Sequence, residues 1–392
     1  MKILAIETSC DETAISIIEA TGDFPDATYE VLGNALHSQI AIHVEYGGVF
    51  PALAKREHAK KLVPMLTQAL SEAELLEEGD HNLTNEQTEK ISTILYREPD
   101  LSETMLEFFN KYEQPEFDLI AVTSGPGLEP ALWVGVNFAK TLAAIWNTPV
   151  VPVNHMEGHI LASIFDIERD DQLAEISLPA ISLLISGGHT ELILMNEWGH
   201  YEKIGQTLDD AVGEAYDKVA RMMDIPYPGG PEIGRLAGLA RQQKLPTYAD
   251  LPRPMLNSDD LNFSFSGLKT AVRYKVADQV LTGEEKQALA RDFEDAVTEV
   301  LLKKAARALT EYGAKTFIVG GGVSANQHLR QSFNAKLLES HPDVTVYFPH
   351  RAMSTDNSVM IALAGHARAA GALAPAAGQL IKADGNRSLA TE

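Results

Sequence analysis

A chain of 392 residues exceeds one ordinary hydrophobic core, so two domains or lobes are expected. Hydrophobic residues make up 45% and charged residues 22%, the balance of a globular protein, and no stretch approaches the roughly 18 uninterrupted apolar residues of a membrane span. The formal net charge of −23 argues against broad, non-specific binding to nucleic acid, so any RNA would have to meet a local basic patch or a partner's surface.

The N-terminus enters a strand at once, at residues 3–6, with no signal-peptide layout. A turn over residues 7–13 follows, then a returning strand over 14–18. The single cysteine in that turn, Cys10, has no internal disulfide partner, which fits a reducing cytoplasm. Between Ser71 and Asp118 stand 14 acidic residues against Lys90, Arg97 and Lys111. Segments 91–96 and 101–112 within it have helical spacing, so the stretch of about 72–118 reads as a small helical insertion. Its charge reads as a solvated face sooner than a docking surface. Residues 119–122 form a strand leading into Ser124-Gly125-Pro126-Gly127 and a helix through Leu142.

The apolar run 148–153 ends in Asn154-His155-Met156-Glu157-Gly158-His159. If a helix starts there, His155 and His159 share one face and can share a metal ion; two surface histidines on a helix are the other reading. Zinc proteases also space histidines four apart but put the general-base glutamate directly after the first. Here that place is Met156, and Glu157 lies about 100° further round the helix, so protease chemistry fits poorly.

Residues 180–185, the turn Ser186-Gly187-Gly188-His189-Thr190 and residues 191–195 repeat the strand-turn-strand pattern of the N-terminus. Residues 316–319, the turn 320–326 and a helix beyond repeat the strand-turn-helix pattern. Recurrence at about 180 to 200 residues predicts a duplicated α/β lobe, with glycine turns at strand ends able to bring backbone N–H groups to phosphate. Two matched pairs of such turns point to a nucleotide held between the lobes. The tail after Ala374, rich in Ala, Gly and polar residues, is expected to fray at its end.

Seven ordered motifs carry a resemblance: Ile6-Glu7-Thr8-Ser9-Cys10-Asp11-Glu12-Thr13, His155-Met156-Glu157-Gly158-His159, Ser186-Gly187-Gly188-His189-Thr190, Pro228-Gly229-Gly230-Pro231, Phe263-Ser264-Phe265-Ser266-Gly267-Leu268-Lys269-Thr270, Gly321-Gly322-Val323-Ser324-Ala325-Asn326 and Thr355-Asp356-Asn357. From Lys2 to about Ala370, the insertion apart, the chain resembles the TsaD family, the catalytic subunit that makes N6-threonylcarbamoyladenosine in tRNA. The resemblance implies the duplicated two-lobed α/β fold of actin, sugar kinases and heat-shock ATPases, with the helical insertion in the first lobe. It divides the chain into an N-terminal lobe (1–154), a C-terminal lobe (155–356), and a returning helix with the tail (357–392).

The implied reaction moves a threonylcarbamoyl group from threonylcarbamoyl-AMP to N6 of the adenosine beside the anticodon, at position 37, in tRNAs reading codons that begin with A. The resemblance implies one divalent metal ion per subunit, iron(II) favoured and zinc suitable, held by His155, His159 and Asp356. Asp356 also reads as the N-cap of the following helix. Leu184, Ile185, Ser186, Gly187 and Gly188 are implied to cradle the donor's phosphate and carbamoyl end, Asp217 to take ribose hydroxyls, Gly230 to let the backbone pass the nucleotide, and Asn326 to bind adenine. A charge pair of Asp217 with Lys218, a plain turn at Gly230 and an N-cap at Asn326 are the structural alternatives. Asp11 and Glu12 are expected to face the reacting groups, with Asp11 positioning N6 or accepting its proton; turn residues satisfying local N–H groups are the alternative. His189 and the aromatic segment 263–270 read as readily as structural groups.

Implied partners are tRNA, a non-catalytic TsaB-like paralogue, a small TsaE-like ATPase and an enzyme supplying the adenylate, in the cytoplasm and without a membrane. The main rival is a chaperone-like nucleotide-binding regulator on the same fold, which needs no metal triad. Three departures stand out: Asn154 where many relatives carry histidine, with the ligand pair intact; Glu129-Pro130-Ala131 in place of a small glycine-containing turn, which with the acidic insertion bears on partners more than chemistry; and a changed ending around Lys382 to Arg387, which bears on a tRNA contact.

Overall fold

The computed structural model describes residues 1–79, 82–166, 171–277 and 279–390. It divides into two compact units. The first comprises Met1–Ala174 and Asp356–Ser388, and the second is built on Glu175–Thr355. The first division thus falls after Ala174, twenty residues beyond the expected 154, and the helix bearing both histidines belongs to the first unit. Asp356 belongs there too, so it meets the histidines within one unit.

The first unit carries β1 (Lys2–Glu7), β2 (Glu12–Thr21), β3 (Thr28–Ser38), β4 (Leu119–Gly125), β5 (Val150–Asn154), β6 (Phe165–Asp166) and β7 (Gln172–Leu173) in one sheet of order β5-β4-β1-β2-β3-β7-β6. β1 runs antiparallel to β2 and parallel to β4, and β4 runs parallel to β5. All seven residues of β4 are buried, the continuous apolar run expected of a strand covered on both faces. One cover is Ser358–Ala367, whose residues 358–366 are all buried and which packs on β1, β2, β4 and helix His155–Ile164. The long helices Pro51–Glu72 and Glu129–Trp146 pack against each other, on β2 and β3 and on β4 respectively.

The second unit carries β8 (Ala180–Ile185), β9 (Thr190–Glu197), β10 (His200–Gln206), β11 (Thr316–Gly320) and β12 (Thr345–Tyr347), ordered β10-β9-β8-β11-β12. β8 pairs antiparallel with β9 and parallel with β11, which pairs parallel with β12. Strand for strand this is the order and sense of β3-β2-β1-β4-β5. The duplication expected from the repeated turns is therefore present in the topology.

The insertion is helical, as its spacing predicts: Asn85–Ile94, opened by a capping box of Thr84 and Gln87, and Pro99–Lys111. Ile91, Leu101, Met105, Phe108 and Phe109 join the first unit's core, while Glu86, Glu89, Glu103 and Glu107 face outward. The tail is held over its described length, and the end expected to fray, residues 391–392, lies outside the described residues. Ile381 and Ala383 join that core, Asp384 N–H donates to the Ser124 carbonyl at 2.8 Å, and the Arg387 guanidinium bonds the Ser124 hydroxyl. Sparse apolar residues suffice because backbone bonds to the β4 turn hold the segment. Among the described residues, no helix is long and apolar enough to cross a membrane.

Candidate metal centre and substrate-binding residues

β5 ends at Asn154, whose side chain caps the helix that follows by accepting from Met156 N–H at 2.9 Å, while its amide nitrogen donates to the Ser388 carbonyl at 3.1 Å. The cap starts the helix at His155, and the spacing of four brings the rings of His155 and His159 to 4.7 Å between centroids, nearly perpendicular. Both Nε2 atoms converge on Asp356 Oδ1, at 3.4 Å from His155 and 3.2 Å from His159. All three ligand atoms lie within 4.8 Å of one another.

Asp356 is not the helix cap. Asn357 is, its Oδ1 accepting from Met360 N–H at 3.0 Å, which leaves the Asp356 carboxylate aimed at the imidazoles. Although 3.2 Å from Asp356, the buried His159 Nε2 is not aligned for a hydrogen bond and makes none. An orphaned imidazole nitrogen beside a carboxylate is costly unless a third party sits between them, as a metal ion would. Two imidazole nitrogens and one carboxylate oxygen are the donor chemistry of a divalent first-row metal with open positions. The residues therefore fit the implied group.

Glu7, at the end of β1, was singled out by no sequence argument, yet it stands directly behind His155. Its Oε2 lies 3.1 Å from His155 Nδ1 and accepts from the Thr123 hydroxyl at 2.6 Å, while its other oxygen accepts from Ser9 N–H. This is the outer carboxylate that typically orients a metal-binding histidine by taking Nδ1–H and turning Nε2 toward the ion. A carboxylate closing an otherwise apolar strand was the available signal. Burial raises the Glu7 pKa, but His155 outweighs it and holds the carboxyl below its ordinary value. Burial likewise opposes charge on His155, and Asp356 and then Glu7 outweigh it, so its pKa stands well above normal; burial pulls His159 below normal. Glu157 turns elsewhere, to Arg368, whose Nε–H is shared by both carboxylate oxygens at 3.1 and 3.0 Å and whose Nη2 lies 2.9 Å from Oε1, which removes the residue a protease would need.

Asp11 and Glu12 adjoin this cluster electrostatically. Burial raises the pKa of Asp11, with Asp356 adding to the rise. Glu12 is pushed up to about 10 by burial and then by the charges of Asp356 and Asp11. The charged form of each carboxyl is thus disfavoured, first by burial and then by neighbouring negative charge.

In the second unit, Leu184 and Ile185 are buried at the end of β8, and Gly187 and Gly188 are exposed. The Ser186 hydroxyl accepts from Gly188 and His189 N–H at 3.3 and 3.1 Å, so an anion cradled here would compete with that hydroxyl. Gly321 (φ +88°) crosses beneath the turn, where a Cβ would stand 2.4 Å from the Ile185 carbonyl oxygen. Asp217 is not paired with Lys218, which instead bonds Asp210 and Glu214, both at 2.8 Å. Its carboxylate accepts from Gly229 and Gly230 N–H, holding the start of helix Gly229–Gln243. A Cβ at Gly230 would meet only the Tyr216 Cβ at 4.0 Å, an ordinary contact, so no protein atom demands glycine there. Asn326 caps Gln327–Ser332 by accepting from Leu329 N–H at 2.9 Å and donates to Glu294. Phe263 and Phe265 are fully buried and stacked, which makes that segment core.

The family model of TsaD, tRNA N6-adenosine threonylcarbamoyltransferase, matches residues 30–79 and 101–363. Curated proteins of the same description resemble the chain over 94% of its length. That of Nitrosomonas europaea is 40% identical, with 93% of the relative covered; those of Persephonella marina and Polynucleobacter necessarius are each 41% identical, with 90% and 92% covered.

Proposed function

The chain belongs to the TsaD family of tRNA N6-adenosine threonylcarbamoyltransferases, and on that premise we propose that it transfers the threonylcarbamoyl group of threonylcarbamoyl-AMP to N6 of adenosine 37, beside the anticodon, in tRNAs reading codons that begin with A. The single observation that carries the reading is the convergence of His155, His159 and Asp356, with Glu7 behind His155. These three side chains would hold one divalent ion, iron(II) by family resemblance and zinc by donor chemistry. Such an ion would supply Lewis acidity toward the donor's carbonyl oxygen.

In the transfer, N6 bonds to the carbamoyl carbon, the bond from that carbon to the phosphate oxygen breaks, and AMP leaves with the electron pair. Asp11 accepts the proton released from N6, and Glu12, its pKa pushed up to about 10, stays protonated beside it. N6 is a weak nucleophile, so orientation against an activated donor supplies most of the rate. Leu184, Ile185, Ser186, Gly187 and Gly188 bind the phosphate and carbamoyl end, Asp217 uses its remaining lone pairs on the ribose, Gly230 leaves room for the nucleotide, and Asn326 contacts adenine from its cap position. The absence of any crowding protein atom on the Cβ side of Gly230 is compatible with that placement. The acidity of the chain supports a requirement for other proteins in engaging tRNA: a TsaB-like paralogue and a TsaE-like ATPase, with the adenylate made by a separate cytoplasmic enzyme.

The test is mass spectrometry of nucleosides from unmodified tRNA incubated with threonylcarbamoyl-AMP, the partners, and either this protein or His155→Ala. Threonylcarbamoyladenosine from the wild type, and far less from the variant, is expected. No product from a folded, metal-loaded wild type would overturn the reading.

A further inference from the structure

Beneath the turn that presents Asp11 and Glu12 lies a run of buried side chains that none of these roles uses. His43 and His58 are fully buried and Gln39 is nearly so. Phe50 N–H donates to His43 Nδ1 at 3.3 Å, so the His43 proton sits on Nε2, which donates to Gln39 Oε1 at 3.3 Å. The Gln39 amide nitrogen, now on the other side, donates to His58 Nδ1 at 3.3 Å, and the Thr13 hydroxyl donates to the same atom at 2.8 Å. His58 therefore carries its proton on Nε2, which donates to the Cys10 carbonyl at 3.0 Å. Both ends are backbone groups, one able only to donate and the other only to accept, so every tautomer and the amide orientation between them are fixed. Burial pushes His58 down to about 4, which keeps it neutral. Gln39 adds a backbone bond of 2.8 Å to the next carbonyl, that of Asp11. Two consecutive carbonyls of the turn are thus clamped from below.

We propose that His58 is a positioning residue: through the Cys10 carbonyl it fixes where Asp11 and Glu12 hold their carboxyls, and it touches no substrate. The proposal rests on the transferase reading for the role of that pair. An error of about 1 Å in a reacting group can cost on the order of a hundredfold in rate, so loss of the clamp should appear in kcat while binding is spared.

The experiment compares His58→Leu and His58→Gln with the wild type in the complete assay, with Tm measured on each. His58→Leu is expected to lose about tenfold or more in kcat, with KM for tRNA and for threonylcarbamoyl-AMP within about twofold. His58→Gln, which still offers an N–H to Cys10, is expected to regain most of that loss. A kcat for His58→Leu within about twofold of wild type, or equal losses in both variants that follow their Tm, overturns the proposal. Nitrogen NMR of histidine-labelled wild type keeps it testable if the leucine variant does not fold: the Nε2–H tautomer is expected for His58 and His43 at pH 7, and the Nδ1–H tautomer or a charged ring at His58 overturns it. A wild type that makes no product while showing the expected tautomers fails the transferase reading and leaves the hydrogen-bond chain standing.

Discussion

Glu7 bears on the candidate metal centre without belonging to the donor set, and its influence can be measured apart from turnover. Glu7→Gln keeps the volume and an acceptor for Ser9 N–H, but puts an amide NH2 where an oxygen met Thr123 and His155 Nδ1 and removes the charge there. Loss of such an outer carboxylate typically lowers metal affinity by about 10–100-fold. Dialysis against chelators of graded strength, followed by elemental analysis, should therefore strip Glu7→Gln at weaker chelator than the wild type, while Asp356→Ala retains little metal at any strength. Equal retention in all three would mean that this cluster is not the metal site. At this scale the sequence was informative only where spacing alone decides. Histidines four apart share a face in any helix, so that pair was legible. Whether Asp356 or Asn357 caps the next helix was not, because both types cap well and only the backbone path selects between neighbours. Glu7 was hidden for a similar reason: its partner is 148 positions away.

The paired strand orders show what turns contribute to an element's placement. β8 and β11 end at the same level, with the Gly321 backbone lying against the Ile185 carbonyl. At φ +88° and ψ 163° this position lies in a region open essentially to glycine, and a Cβ would add a contact of 2.4 Å with backbone. Gly321→Ala should lower stability by at least about 2 kcal/mol, or several degrees in Tm; a change under about 1 °C in a thermal melt would show that the turn has room. The start of helix Ser266–Val276 is held differently. Asp209 accepts from the hydroxyls of Ser264 and Ser266 at 2.5 and 2.6 Å and from N–H of Phe265 and Ser266 at 2.8 and 3.2 Å.

Burial opposes charge on Asp209, but these bonds, that of Ser264 first, outweigh it and hold the carboxyl below its ordinary value. A carboxyl depressed on folding contributes stability above its unfolded pKa, about 3.9, and loses it as pH falls through the folded value. Asp209→Asn should therefore melt below wild type at pH 7, and the gap should close below about pH 4. A gap unchanged at pH 3 would assign the loss to shape instead of charge. The strands and turns around these sites were legible because apolar runs and glycine clusters mark them locally. The attachment of the tail was not legible because its order comes from backbone bonds to a turn some 260 residues away, a source of stability that leaves no trace in composition.

At the scale of the molecule, the chain completes its first unit only after the second has been made. Residues 175–355 form a continuous unit with its own five-stranded sheet and core, whereas residues 1–174 lack the segment from Asp356 onward. That segment holds Val359, Met360, Ile361 and Leu363, each at most 2% exposed, in a helix laid on β1, β2 and β4. At about 1.5–3 kcal/mol for each buried side chain, removing it forgoes on the order of 6–12 kcal/mol, comparable to the whole stability of an ordinary domain. A fragment of residues 175–355 should thus melt cooperatively by circular dichroism, whereas residues 1–174 should give no cooperative transition and bind no stoichiometric metal. Adding a peptide of residues 356–388 in trans should restore both the transition and the metal. A cooperative melt of 1–174 alone would place the first unit's stability in its sheet and long helices, and would leave Asp356 a ligand without a structural duty.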